Sequence, residues 1–150
     1  MIELLVVIAI IFLLVGILLG GMRAARIAAR KAETRDMVLQ IKTAWQAYLD
    51  EYRRFPETEI SQMDVMAIQI LNGQNASENP KRIPFMDFRK GGQTTEFLDP
   101  YGNMYQVDLD TGLDNWVTTP QGEVRAAVAV WSLGRDGTPG TEDDLKSWER

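Results

Sequence analysis

An α+β fold, with a long N-terminal helix laid on a small antiparallel sheet, follows from three features of this 150-residue chain. A charge-free apolar run, Leu4 to Met22, leads without a proline into a segment of good helix formers. Short alternating runs bounded by turn residues occupy the C-terminal third. A glycine-rich stretch dense in carboxylates, Ser132 to Asp144, then follows the last of them.

The length suits one domain plus an apolar segment, divided as residues 1–22 and 23–150. Net charge is -5, and its sign is split along the chain. Arg23, Arg26, Arg30, Lys31, Arg35 and Lys42 follow the apolar run, against only Glu33 and Asp36, while the remainder is acidic. The main domain would repel phosphate, so no nucleic acid is expected as partner. The basic segment suits anionic lipid headgroups or acidic neighbours. The chain has neither Cys nor His. Disulfides, thiol nucleophiles, His-based triads and zinc sites of the usual kind are thereby excluded, and no enzyme is expected.

Residues 4–22, as a helix rising about 1.5 Å per residue, would reach roughly 28 Å, the thickness of a hydrocarbon core. A cleaved secretory signal fits poorly, because no basic residues precede the run and no small-x-small site precedes Arg23. A plain anchor fits, and so does a helix that passes from bilayer to filament core. Glu3 can be read as an interfacial acid favoured by the helix dipole or as a functional acid with a partner. Gly16, Gly20 and Gly21 weaken the helix locally or allow close helix packing in lipid.

Ala24 to Tyr52 lacks Pro and Gly and continues the helix. Val38, Ile41, Trp45, Tyr48 and Tyr52 recur at spacings of three and four, so residues 23–54 form an amphipathic half whose apolar face is core. Pro56 ends it, since it disfavours helical geometry at Phe55. Ser61 is expected to cap a second helix running to Leu71, with Asp64 in its first turn, before Asn72-Gly73 breaks it. Asn75 to Lys81 reads as a polar loop. Arg82 to Phe88 reads as a short extended piece that packs Phe85 and Phe88; residues 57–97 carry no functional reading. Asp99-Pro100 and Gly102-Asn103 supply turn chemistry into a strand where Tyr105, Val107 and Leu109 alternate with polar residues. Asp110-Thr111-Gly112 predicts a hairpin turn. Val124 to Trp131 predicts a central strand.

Residues 132–148 read as a calcium-type loop. Calcium takes six to eight oxygen ligands on sharply turning backbone. Asp136, Asp143 and Asp144, the hydroxyls of Ser132, Thr138 and Thr141, and Gly134, Gly137 and Gly140 offer both. The spacing is not that of an EF-hand. A solvated polar loop satisfies the same residues.

The string Ile2-Glu3-Leu4-Leu5-Val6-Val7-Ile8-Ala9-Ile10 closely resembles the N-terminal motif of type IV pilins and of the pseudopilins of type II secretion systems. The Arg54-Phe55-Pro56 helix end, the Asp99-Pro100-Tyr101-Gly102-Asn103-Met104-Tyr105 string and Ser132-Leu133-Gly134-Arg135-Asp136-Gly137 with Thr141-Glu142-Asp143-Asp144 resemble the major pseudopilin in particular. The resemblance covers both ends and spares the middle. It departs at the start, where Met1 stands two residues before Glu3. The family's basic leader, its cleavage site and its usual first residues are not in this sequence.

The resemblance implies a pilin-like fold and a structural role. The chain would be a subunit that polymerises from the bacterial inner membrane, spanned once, into a short periplasmic filament driving export of folded proteins. Partners implied are further copies of itself, other pseudopilins, the inner-membrane assembly platform with its ATPase, prepilin peptidase, an outer-membrane secretin and the lipid bilayer. Processing in the family includes N-terminal methylation. Glu3 would neutralise a neighbouring subunit's amino group during assembly. Calcium would be structural, held by Asp136, Asp143 and Asp144, with Ser132 as a further ligand and carbonyls near Leu133 and Thr138 completing the shell. The positive-inside tendency of the basic cluster alone favours a cytoplasmic domain, and a basic leader would reverse it. Alternatives are a type IV pilin for adhesion, motility or DNA uptake, and an anchored binding domain that never polymerises. The calcium-type loop and the lack of a cysteine-closed C-terminal loop weigh against the pilin.

Overall fold

The computed structural model describes residues 2–88 and 97–149, without the side chains of Ile2 and residues 17–21. Gly20 and Gly21 thus lie outside the described side chains, as does part of the apolar run of residues 4–22. The chain divides into two compact units, Met1–Glu33 and Thr34–Arg150. Helix α1, Ile2–Tyr52, contributes to both.

In the first unit the apolar side chains from Leu4 to Val15 are uncovered, Phe12 being 75% exposed and Leu4 72%. Nothing in this unit can bury them, because a lone helix has no facing element. Among the described residues, no helix is long and apolar enough to cross a membrane.

In the second unit, Val38, Ile41, Ala44, Trp45 and Tyr48 form the buried stripe of α1 that the three-and-four spacing predicts. Tyr52 packs at its edge, and the Tyr48 and Tyr52 rings lie 4.7 Å apart. The helix closes at Arg53, whose φ of 56° turns its N–H back to the Leu49 carbonyl at 2.7 Å. Phe55 then enters the core and Pro56 follows, so the helix stops two residues short of the expected end at residue 54.

The second helix starts later than expected. Helix α2 is Val65–Leu71, capped by Asp64, whose carboxylate accepts the Ala67 N–H at 2.9 Å. Ser61 does not cap it. Its carbonyl accepts from Val107, and Met63 N–H donates to Tyr105, so residues 61–63 run extended beside the first strand. The backbone cannot serve that pairing and a helical turn together. Asn72 and Gly73 end α2 as expected, with Gly73 at φ 78°.

The loop at Asn75–Lys81 is polar in composition, but two of its residues are buried. Asn79 is fully buried and donates to the carbonyls of Ile70 and Ile83 at 2.8 and 2.7 Å. It accepts from Ile83 N–H at 3.0 Å and from the Tyr52 hydroxyl at 2.6 Å. The Glu78 carboxylate, also buried, accepts from Thr58 and Glu57 and lies 3.6 Å from Arg54. Tyr48 donates to the Glu78 carbonyl at 2.7 Å. Burial, then the Glu78 charge, push its phenol up to about 12. Residues 82–88 contain no strand. Phe85 and Met86 instead donate to the Leu71 carbonyl at the end of α2, and Phe88 is buried.

Among the described residues five short strands follow: β1 Gln106–Leu109, β2 Val117–Thr119, β3 Gly122–Val124, β4 Val128–Ser132 and β5 Leu145–Lys146. One antiparallel sheet has the order β1-β4-β5, and β2-β3 form a separate hairpin. Val107 pairs with Val130, and Ser132 pairs with Leu145. β4 is buried throughout, as its nearly all-apolar sequence predicts for a central strand. The single expected strand from Val124 to Trp131 is divided in two by bends at Arg125 and Ala127. Its first residue belongs to the β2-β3 hairpin. The turn after Asp110 therefore leads to β2 rather than straight back to β4.

Candidate functional site

The acidic loop leaves the end of β4 and returns through β5. Two of its three aspartates meet around one hydroxyl. Thr141 Oγ1 lies 2.7 Å from Asp143 Oδ1, 3.2 Å from the Thr138 carbonyl and 3.4 Å from Asp136 Oδ1. A hydroxyl carries one proton and can serve one of these oxygens. More acceptors than donors converge there, which suits an oxygen-seeking cation.

Asp143 Oδ2 accepts from the N–H groups of Arg135 and Asp136 at 2.7 and 3.2 Å. The Thr141 bond first, and these backbone donors after it, lower its pKa, so it stays ionised. Asp144 is different. It is 6% exposed; Oδ2 holds Gly140 N–H at 2.8 Å and Gln121 at 3.1 Å, while Oδ1 is buried without a hydrogen-bond partner. Burial raises its pKa, and the neighbouring charges of Asp143 and Asp136 add to the rise. A buried carboxylate oxygen without a donor is costly unless a cation meets it.

The ligands expected from the sequence are thus partly gathered. Asp136, Asp143 and the Thr138 carbonyl converge, and Thr141 stands at their centre. Among the described residues no group of three acidic side chains is close enough to hold a metal together. Ser132 sits below the loop, donating to Asp99 at 2.5 Å. Leu133 packs against the cluster of Val117, Ala129 and Trp131. The donor set is all oxygen, and its chemistry fits a hard cation such as calcium rather than zinc.

From the sequence, Asp99 and Asn103 are expected as turn residues only. Asp99 is buried, and Asn103 donates to the Gly134 carbonyl at 2.8 Å, so both belong to the loop's support. An Asp-Pro pair carries no mark of that second use. The tail closes the site on the other side. Trp148 packs edge-on against Trp131 at 5.9 Å, and Lys42 of α1 donates to the Ser147 carbonyl at 3.2 Å. At the other end of the chain, Glu3 lies exposed in the first turn of α1.

A long N-terminal helix with a small antiparallel sheet fits a pilin-like fold. The chain is 25% identical over 149 residues to the type II secretion system core protein G of Aeromonas hydrophila, covering 99% of this chain and 89% of that protein. It is likewise 25% identical over 149 residues to the type II secretion system core protein G of Pectobacterium carotovorum subsp. carotovorum, covering 99% of this chain and 81% of that one. No family model matches the chain.

Proposed function

We propose that this chain is a structural subunit of a type II secretion pseudopilus, polymerising through its N-terminal helix. The carrying observation is similarity over 99% of the chain to two core G proteins, from the apolar start of α1 to the acidic loop. The uncovered apolar side chains of Leu4 to Val15 support burial elsewhere, in the bilayer before assembly and among neighbouring helices after it. In this reading the chain spans the inner membrane once, with the domain in the periplasm. It meets other pseudopilins and the secretion machinery. Glu3 sets register by neutralising the amino group of a neighbouring copy. Its test is reconstituted polymerisation: Glu3→Leu abolishes filaments while leaving the domain's thermal unfolding unchanged. Filaments of wild-type length from that variant would sink the role of Glu3, whereas no filaments from the wild type would favour an anchored, non-polymerising domain.

Calcium is the second part of the reading. Asp136, Asp143 and Asp144 would hold it, with the carbonyls of Leu133 and Thr138 as further oxygens, while the Ser132 hydroxyl, engaged with Asp99 and Gly134, would support the site from outside. When bound, the ion neutralises carboxylates that otherwise repel. The excess of acceptors around Thr141 and the unpartnered Asp144 oxygen support it. Binding to the folded state alone stabilises it, by about 2.7 kcal/mol at a hundredfold excess over Kd. The full chain in detergent should therefore melt several degrees higher in calcium than in chelator, and Asp143→Ala should lose that difference. Equal melting temperatures in both conditions would leave the loop as a solvated hairpin.

A further inference from the structure

The acidic loop is not held by its own residues alone. Its first residues are gripped by the turn at 99–103. The carboxylate of Asp99, 5% exposed, uses Oδ1 to accept the N–H groups of Tyr101 and Asn103, both at 2.9 Å. Oδ2 accepts from Ser132 Oγ at 2.5 Å. A carboxylate can only accept, so the single proton of the fully buried Ser132 hydroxyl is committed to Asp99. The Ser132 oxygen then offers a lone pair to Gly134 N–H at 3.1 Å. The Gly134 carbonyl is held by the Asn103 amide at 2.8 Å. One turn thus fixes both polar groups of Gly134.

Gly134 is the floor under Asp143. Its φ is 63°, and a Cβ placed on it would lie 2.5 Å from the Asp143 carbonyl oxygen and 2.6 Å from Asp143 Oδ2. The Asp143 carboxylate rests directly over this glycine, and its position there lets Oδ2 reach the N–H groups of Arg135 and Asp136. The path from Asp99 to the carboxylates is therefore continuous: Asp99, the Ser132 proton, the Gly134 backbone, Asp143.

We propose that Asp99 is a positioning residue for the cation site, setting calcium affinity through Ser132 and Gly134 without touching the ion. The inference rests on the calcium reading above and extends it to a residue 33 positions upstream of Ser132. Asp99→Asn is the sharp probe. To keep the Tyr101 and Asn103 N–H groups, the amide must place its oxygen toward them. Its NH₂ then faces Ser132, where the carboxylate accepted. The hydroxyl proton loses its acceptor, and the relay to Gly134 is disturbed with almost no change of shape.

The experiment is calorimetric titration of the full chain in detergent with calcium chloride, for wild type, Asp99→Asn, Ser132→Ala and the double variant. Supporting outer partners of metal ligands typically change affinity tenfold to a hundredfold, so each single variant should raise Kd about tenfold or more. The double variant should add little, because both substitutions cut one relay. Melting in chelator separates positioning from bulk folding: the calcium-dependent rise should shrink far more than the chelator melting temperature falls. Should Asp99→Asn fail to fold, Ser132→Ala is read the same way. Wild-type affinity in Asp99→Asn, even with a lower melting temperature, overturns the proposal and leaves the calcium reading intact. A wild type that takes up no calcium overturns both.

Discussion

Asn79→Ala should destabilise the folded unit by about 3 kcal/mol, an effect large enough to lower its melting temperature by roughly 10 °C. The side chain is small, so lost apolar burial is minor. The loss comes from its partners. Alanine would orphan the Ile83 carbonyl and N–H, leave the Tyr52 hydroxyl without an acceptor, and leave the Ile70 carbonyl only the Gly73 N–H at 3.3 Å. An unsatisfied buried group costs on the order of 1–3 kcal/mol, and Tyr52, at the edge of the core, recovers part of its share from water. Asn79→Asp makes a second test at nearly constant shape. It removes both N–H donors and sets a carboxylate against two carbonyl oxygens, so at neutral pH it should destabilise at least as much. Thermal unfolding of both variants in detergent decides the matter. A loss under about 1 kcal/mol in each would mean that water replaces the amide freely.

Gly134→Ala is the second large effect, and it separates two kinds of glycine. At Gly102, with φ 97°, an added Cβ meets nothing within 4 Å, so alanine there suffers only the left-handed backbone penalty. At Gly134 the same penalty is joined by collision with the backbone and carboxylate of Asp143. Backbone cannot swing aside as a side-chain tip can. Gly134→Ala should therefore displace Asp143, lower stability in chelator by about 2 kcal/mol or more, and abolish the calcium-dependent rise in melting temperature. Gly102→Ala should keep that rise and lose only about 1 kcal/mol. Equal behaviour of the two variants would show that the loop relaxes around the new methyl group.

The parts of the fold written by periodicity were legible in the sequence. Val38, Ile41, Trp45 and Tyr48 mark one helical face and are buried. Tyr105, Val107 and Leu109 alternate and are buried likewise. Local chemistry misled where a distant partner was decisive. Ser61 looks like a cap until β1 claims its backbone, and Asp64 takes that role. Asn75 to Lys81 looks like a solvated loop, because nothing in its composition shows that Tyr48 and Tyr52 reach across to bury Asn79 and Glu78. In the acidic loop, residue types drew attention to Asp136, Asp143 and Asp144, of which Asp136 and Asp143 meet at Thr141. They could not reveal Asp99, which acts through hydrogen bonds across 33 positions. The two-residue β5 is too short for any pattern to register.

The tail bonds have a consequence in time as well as in space. Lys42 holds Ser147 and Arg35 holds Glu149 across sequence separations of 105 and 114 residues. Contacts so distant in sequence form late, since the intervening chain must first be brought together. A chain made from its N-terminus exposes the basic flank of α1 long before Ser147 and Glu149 exist. The spine waits, the sheet forms against it, and only a chain that has reached Glu149 can draw the tail down and shut the acidic loop. A chain stalled before Leu145 lacks β5 and both clasps, so closure of the loop reports that synthesis has passed Glu149.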